Sequence, residues 1–320
     1  MIKRIDLHGH YMPPAYYETL EKNHVQLLDG VKAPFWSVER QFDIMEKLNI
    51  GFSTLSLSSP YPFFENSTQG EVAEVIRGCN EYGSSLQKEY PDKFRALASL
   101  PLTDINKSLE EIKYCREKLD VPGFALLSNY NGMYLGDKRL DPIMEELNKE
   151  PTLVTIHPTV PTVEIEGVCE ELPGPIMEYF FETTRAVTNM LLKGIVHRYP
   201  NIKFIVPHGG SVLAILADRM IPLTDILLKD RGLTMAEDLK NMYYDLAGYA
   251  MPKQFGLLRK ITSDEHLVYG SDSPHAFLPI CETQSKDMEK MLDDRLKNLV
   301  YKDNAMALLE KTGLVKNISI

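Results

Sequence analysis

Cysteine is scarce: the 320 residues hold four, and none falls in a C-x-x-C pair. Cys79, Cys115, Cys169 and Cys281 stand far apart, which excludes a disulfide framework and a thiolate zinc knuckle. No run of 18 apolar residues occurs, so no membrane span is expected. Positive charge is also short. Lys and Arg total 35 against 45 Asp and Glu, a formal charge of −10, whereas binding nucleic acid or an anionic membrane needs the opposite field. The opening MIKRIDLHGH reaches polar residues after five positions, so no signal peptide is expected, and with free thiols the expected location is the cytoplasm. Fixed-period repeats and low-complexity linkers are missing too, and residues 1–320 read as one domain.

What the chain does have is an alternation of short apolar runs with helical patterns, the signature of βα units around a parallel sheet. Eight runs stand out: Ile2 to Leu7, Gly51 to Leu57, Phe94 to Leu100, Val121 to Leu127, Thr152 to Ile156, Ile202 to Pro207, Met242 to Asp245 and Leu267 to Gly270. Between them, Val38, Phe42, Met45 and Leu48 recur at helical spacing after a candidate cap, Ser37, and Asp141-Pro142 reads as a cap followed by a first-turn proline. The expected fold is α/β, a (β/α)8 TIM-like barrel, with a doubly wound sheet as the rival. The long aromatic segment from Tyr11 to Trp36 is expected as a lid inserted after strand one.

In such a barrel, reactive groups project from the C-terminal ends of the strands. His8 and His10 follow the first run, His157 the fifth, His208 the sixth and Asp272 the eighth. Alternate residues of a strand share a face, so His8 and His10 form a chelating pair. With His157 and Asp272 they supply three nitrogens and an oxygen, the ligand mix of a catalytic zinc-type site. A lone strand histidine is ordinarily a packed core residue. Five ionisable groups at one barrel mouth are another matter, because burying them is costly unless they bind a metal or do chemistry. The fourth run ends GFALLSNY and offers no lysine to bridge a second metal, which points to a single ion. Asp6 reads as a structural neighbour of the histidine pair.

The ordered phrases DLHGH, IHPT, PHGG and YGSDSP resemble the amidohydrolase superfamily, within it the aminocarboxymuconate-semialdehyde decarboxylase group. HYMPPAYYETL, SNYNGMYLGD, FETTRAVTNMLL and MYYDLAGYA resemble its 6-methylsalicylate decarboxylase branch. The resemblance implies an amidohydrolase-type barrel with one divalent metal per subunit, zinc first and manganese second, on His8, His10, His157 and Asp272. It implies His208 as the catalytic histidine of strand six and Arg219 as an arginine that reaches a neighbouring subunit, hence a homodimer. The expected activity is non-oxidative decarboxylation of an aromatic or dienoic carboxylic acid. Asp272 would deliver a proton to the carbon that loses CO2, with His208 as its partner in proton transfer. A metal-dependent hydrolase of a lactone or amide, and a hydratase of the oxalomesaconate type, stay open. Trp36, Tyr130 and Phe277 are candidate ring contacts, and Arg185 and Arg219 candidate carboxylate clamps.

Overall fold

The computed structural model describes residues 2–65, 67–163 and 165–315, so both ends of the expected 1–320 unit lie outside the described residues. Eight parallel strands carry the fold: β1 (Arg4–His10), β2 (Ile50–Ser56), β3 (Phe94–Leu97), β4 (Phe124–Leu127), β5 (Thr152–His157), β6 (Ile202–Val206), β7 (Tyr243–Asp245) and β8 (Leu267–Val268). They pair as β1-β2-β3 and as β8-β7-β6-β5-β4. Bridges join the two sheets at both edges, Ala98 to Phe124 and Gly9 to Ser273. Leu7 N–H donates to Tyr269 O at 3.0 Å and Asp272 N–H to His8 O at 2.8 Å. The strands therefore follow one another in a closed cyclic order, and each corresponds to one of the eight runs read from the sequence.

One cluster of buried side chains draws on all eight strands: Ile5, Leu7, Phe52, Leu97, Ala125, Leu153, Ile205, Tyr243 and Val268. Ala305, Leu308 and Leu309, from the C-terminal helix Asn304–Lys311, pack against them. Alternation along the strands carries the same inward face toward their C-terminal ends, through Leu153 to His157, Tyr243 to Asp245 and Val268 to Asp272. Strand β1 departs from this rule. Its pairing with β2 shifts between Asp6 and Gly9, where three residues of β1 advance against two of β2. This bulge resets the alternation, so that His8 and His10 share the interior with Ile5 and Leu7. Asp6 secures it by accepting the His8 N–H at 3.0 Å. Gly9 is required there because a Cβ would lie 2.4 Å from Ser53 Oγ and 2.7 Å from Thr54 O. The sequence run was expected to end at Leu7; the bulge extends the strand to His10.

The helices that bear on the site are α1 (Pro14–Lys22), α2 (Val38–Lys47), α3 (Gln69–Glu89), α4 (Asp141–Leu147), α5 (Glu178–Leu192), α6 (Leu213–Leu227) and α7 (Leu278–Met291). Ser37 caps α2 as expected, accepting from Arg40 N at 3.3 Å. Asp141 does not cap α4. Asp137 caps a tight turn over Lys138–Leu140 that runs straight into the helix, and Arg198 takes the Asp141 carboxylate at 2.7 Å. In α6, Leu213 and Ala217 are buried one turn apart, which turns Ile215 and Leu216 outward. Between β1 and α2 lie α1 and a short ribbon, Leu27–Leu28 against Val31–Lys32. Its turn residue Asp29 accepts from Ser59 Oγ at 2.5 Å and Tyr179 OH at 2.7 Å. Among the described residues no helix is long and apolar enough to cross a membrane.

Because Asp6 also accepts from Ser271 N–H at 3.0 Å and Ser271 Oγ at 2.6 Å, Asp6→Ala strands two buried backbone N–H donors and leaves Ser271 Oγ only Ser273 Oγ to donate to, at 3.1 Å. At 1–3 kcal/mol for an unsatisfied group, the expected loss in urea unfolding is about 3 kcal/mol or more. A loss below about 1 kcal/mol would remove Asp6 from its role as the clasp of the bulge.

Candidate metal centre

Asp272 stands at the centre of the five predicted groups. Its Oδ1 lies 3.2 Å from His10 Nε2, 3.4 Å from His8 Nε2 and 4.0 Å from His157 Nε2. Its Oδ2 faces a different histidine, His208, with Nε2 at 3.5 Å. The four His side chains are buried, and ligand-capable atoms of His8, His157, His208 and Asp272 all lie within 4.8 Å of one another. Distance alone therefore does not separate His208 from the other three.

Hydrogen bonding does separate them. His8 Nδ1 bonds Asp245 Oδ2 at 2.9 Å, His10 Nδ1 bonds Ser56 O at 3.2 Å and His157 Nδ1 bonds Pro158 O at 2.8 Å. An Nδ1 proton held by an oxygen acceptor aims Nε2 at the centre, the usual support of a metal-binding imidazole. His8 Nε2 is buried and makes no hydrogen bond. His208 has no such acceptor, its Nδ1 being buried and unbonded. It sits instead at φ 55, a region costly for a side chain with a Cβ. Asp245 Oδ1 holds its N–H at 3.0 Å, Gln254 Nε2 holds its carbonyl at 2.6 Å, and Phe180 stacks on its ring at 5.9 Å. Asp272 also has a positive φ, 58. Backbone strain of this kind persists where the surroundings fix it, and functional sites are where it collects.

The electrostatics follow from dense burial. Burial pushes the His8 imidazole down, but Asp245, Asp272 and Asp6 outweigh it and lift it to about 9. His10 and His157 are driven below the usual imidazole value by burial, with neighbouring histidines adding to it. Burial raises the Asp272 carboxyl, yet the imidazoles packed around it, His10 first, hold it well below the usual carboxylate range. Asp6, fully buried, rises to about 6. The donor set of imidazole Nε2 atoms and a carboxylate, with one orphaned nitrogen among them, fits a divalent cation.

Other sequence candidates lie elsewhere. Trp36 is buried against Tyr11 and Tyr82, its Nε1 donating to Gln41 at 3.2 Å, so it packs the base of the inserted segment. Arg185 pairs with the fully buried Glu182 one turn away and is not brought to the centre. Phe277 is exposed at the start of α7. Arg219 is exposed on α6. Tyr130 is buried behind the site, edge-on to Tyr61 at 4.9 Å. The sequence reading missed Asp245, although a carboxylate closing the seventh strand in MYYD was a usable signal. It also missed Tyr179 and Phe180, whose rings flank His157 and His208 and which no strand-end pattern marks.

The chain belongs to the amidohydrolase family, whose profile matches residues 5–311. Among curated relatives it is 32% identical to Decarboxylase yanB of Aspergillus niger, covering 99% of this chain and 90% of that protein. It is 30% identical to 6-methylsalicylic acid decarboxylase of Penicillium expansum over 85% of each. A solved structure described as amidohydrolase II superposes with a TM-score of 0.91 at 30% identity, covering 96% of this chain and all of that one. Manganese-bound 5-carboxyvanillate decarboxylase of Novosphingobium aromaticivorans shares the fold, with a TM-score of 0.82, 19% identity and 96% and 97% coverage.

Asp245 touches both His8 and the His208 backbone. Asp245→Ala is expected to weaken zinc binding about 10–100-fold, the range for loss of such outer partners, as read by competition with a chromophoric chelator. Unchanged affinity would detach Asp245 from the centre.

Proposed function

We propose that the protein is a carboxy-lyase that removes CO2 from a hydroxybenzoate-like aromatic acid without an oxidant. The observation that carries this reading is the division of Asp272, one oxygen toward three imidazoles and the other toward His208. His8, His10, His157 and Asp272 would hold one divalent ion per chain, zinc first and manganese as the alternative that the manganese-bound structural neighbour supports. When bound, that ion would supply positive charge to hold and orient an anionic substrate. The bond between ring and carboxylate breaks, CO2 leaves, and its electron pair stays on the ring carbon. Asp272, ionised at rest, would take a proton from His208 and deliver it to that carbon, and His208 would be reprotonated from water. Tyr179 and Phe180 pack against the histidines and help exclude water.

The remaining parts follow the same reading. Residues 1–320 form one barrel unit of cytoplasmic location, and the Tyr11 to Trp36 segment acts as its lid, a role supported by the grip of Asp29 on Ser59 and Tyr179. A homodimer would cover the outward Ile215 and Leu216 on α6 and bring Arg219 toward a second site as a carboxylate clamp.

Purified, metal-replete protein should release CO2 from at least one member of a hydroxybenzoate panel and carry one metal per chain. His208→Ala should keep its metal and lose roughly 10²-fold or more in turnover, the scale of lost acid or base assistance. Water addition with no loss of mass would instead mark a hydratase, and unchanged turnover in His208→Ala would return that histidine to the core.

Arg219→Ala should weaken substrate binding with metal content intact. Mixing it with His208→Ala subunits should restore part of the activity, since some heterodimers carry one undamaged site. Subunits that demonstrably exchange without recovery would count against a shared site.

A further inference from the structure

Four consecutive residues just past β6 have positive φ: His208 at 55, Gly209 at 60, Gly210 at 74 and Ser211 at 54. Such backbone suits glycine, and two of the four carry a Cβ that crowds it. The turn is closed by Gly210 N–H to Pro207 O and Ser211 N–H to His208 O, both at 3.0 Å. Bonds between residues three apart close turns of either hand, so they do not select this one.

A side chain does. Gln254, on the short helix Lys253–Leu258 that follows β7, directs its Nε2 to three carbonyls of the turn: His208 O at 2.6 Å, Ser211 O at 2.7 Å and Gly209 O at 3.1 Å. Three acceptors converging on one point repel one another unless a donor stands between them, and the amide nitrogen has two protons to share among them. Reversing the hand of the turn would re-aim the carbonyls and break this cluster.

The His208 ring depends on its backbone more than the neighbouring imidazoles depend on theirs. His8, His10 and His157 are each aimed through an Nδ1 held by oxygen, whereas His208 Nδ1 has no partner. Its Nε2 stands 3.5 Å from Asp272 Oδ2 with Phe180 stacked on the ring. Gly248 makes room for that ring, since a Cβ there would lie 2.7 Å from His208 Cδ2. Asp245 also grips the His208 N–H, but its other oxygen holds His8. The Gln254 nitrogen bonds only the turn, which separates it from the metal-binding side of the centre.

We infer that Gln254 is a positioning residue for His208: its amide locks the turn after β6 in the form that aims Nε2 at Asp272. Its effect on turnover rests on the decarboxylase reading, and its effect on the turn does not.

The test compares zinc-loaded Gln254→Met, which keeps the side chain's length and removes the donor, with Gln254→Lys, which restores one. Gln254 is only half-buried on an outer helix, so neither substitution disturbs the barrel. Crystal structures of both should keep the zinc, with His8, His10 and His157 unmoved. In Gln254→Met the φ of His208 should turn negative and its ring leave Asp272; in Gln254→Lys both should stay. On a hydroxybenzoate that the unaltered protein decarboxylates, Gln254→Met should lose roughly 10- to 10²-fold in kcat, the scale of a misplaced catalytic group. KM should stay within about twofold, and Gln254→Lys should recover much of the loss. Added to His208→Ala, Gln254→Met should cost nothing more, because a residue acting through His208 then has nothing to position. An unchanged turn in Gln254→Met, or a further loss in the His208→Ala background, would overturn the clamp. A displaced His208 with unchanged turnover would leave the clamp standing and defeat the role given to that histidine. Absence of CO2 release from every acid in the unaltered protein would defeat the decarboxylase reading, and the crystal structures then decide the clamp.

Discussion

The extra residue in β1 is the constraint on which the centre depends. A regular strand would send Ile5 and Leu7 to one face and His8 and His10 to the other, and the apolar core and the site could not share one interior. The bulge permits both. It leaves a backbone N–H without a ladder partner, and a fully buried carboxylate, Asp6, accepts it along with two groups of Ser271, just past the neighbouring strand β8. The same carboxylate therefore sets the parity of the histidine pair and ties the first strand to the segment that carries Asp272. Its own cost, seen in a carboxyl pushed up to about 6, is met by three hydrogen bonds.

Seen along the barrel axis, chemistry and packing are separated by depth. Inward side chains at the deep level are Leu97, Ala125, Leu153, Ile205, Tyr243 and Val268, closed off by the C-terminal helix. One or two steps further along the same strands the inward positions become His157, Asp245 and Asp272. The polar layer is held by its own network, in which nearly every ring nitrogen has an oxygen to face. Left unpaired at this burial, such groups would be a large liability.

Much of this could be read from the chain. The eight strands were legible because parallel strands buried on both faces appear as short unbroken apolar runs, and the five central residues because ionisable groups at the ends of such runs are hard to explain by packing. Other features were illegible for definite reasons. The bulge at Gly9 has no periodicity signal, being a single residue. Asp245 was counted as the end of a strand, and its partner His8 lies 237 residues away in the chain. Arg185 looked like a free cation because sequence does not show that Glu182, three residues earlier, is wholly buried and needs it. Trp36 went astray likewise: composition says that a residue is apolar, and only the three-dimensional neighbours say which way it turns.

The hydrogen bond from Asp272 N–H to His8 O closes the ring between the first and last strands. During synthesis, His8 emerges early and must wait for nearly the whole chain before its neighbour exists. On a growing chain the centre is therefore incomplete until Asp272 has been made. A growing chain could hold a cation on His8 and His10 alone only loosely, so tight loading belongs to the finished barrel. A metal taken up at this centre would then report completed closure of the ring.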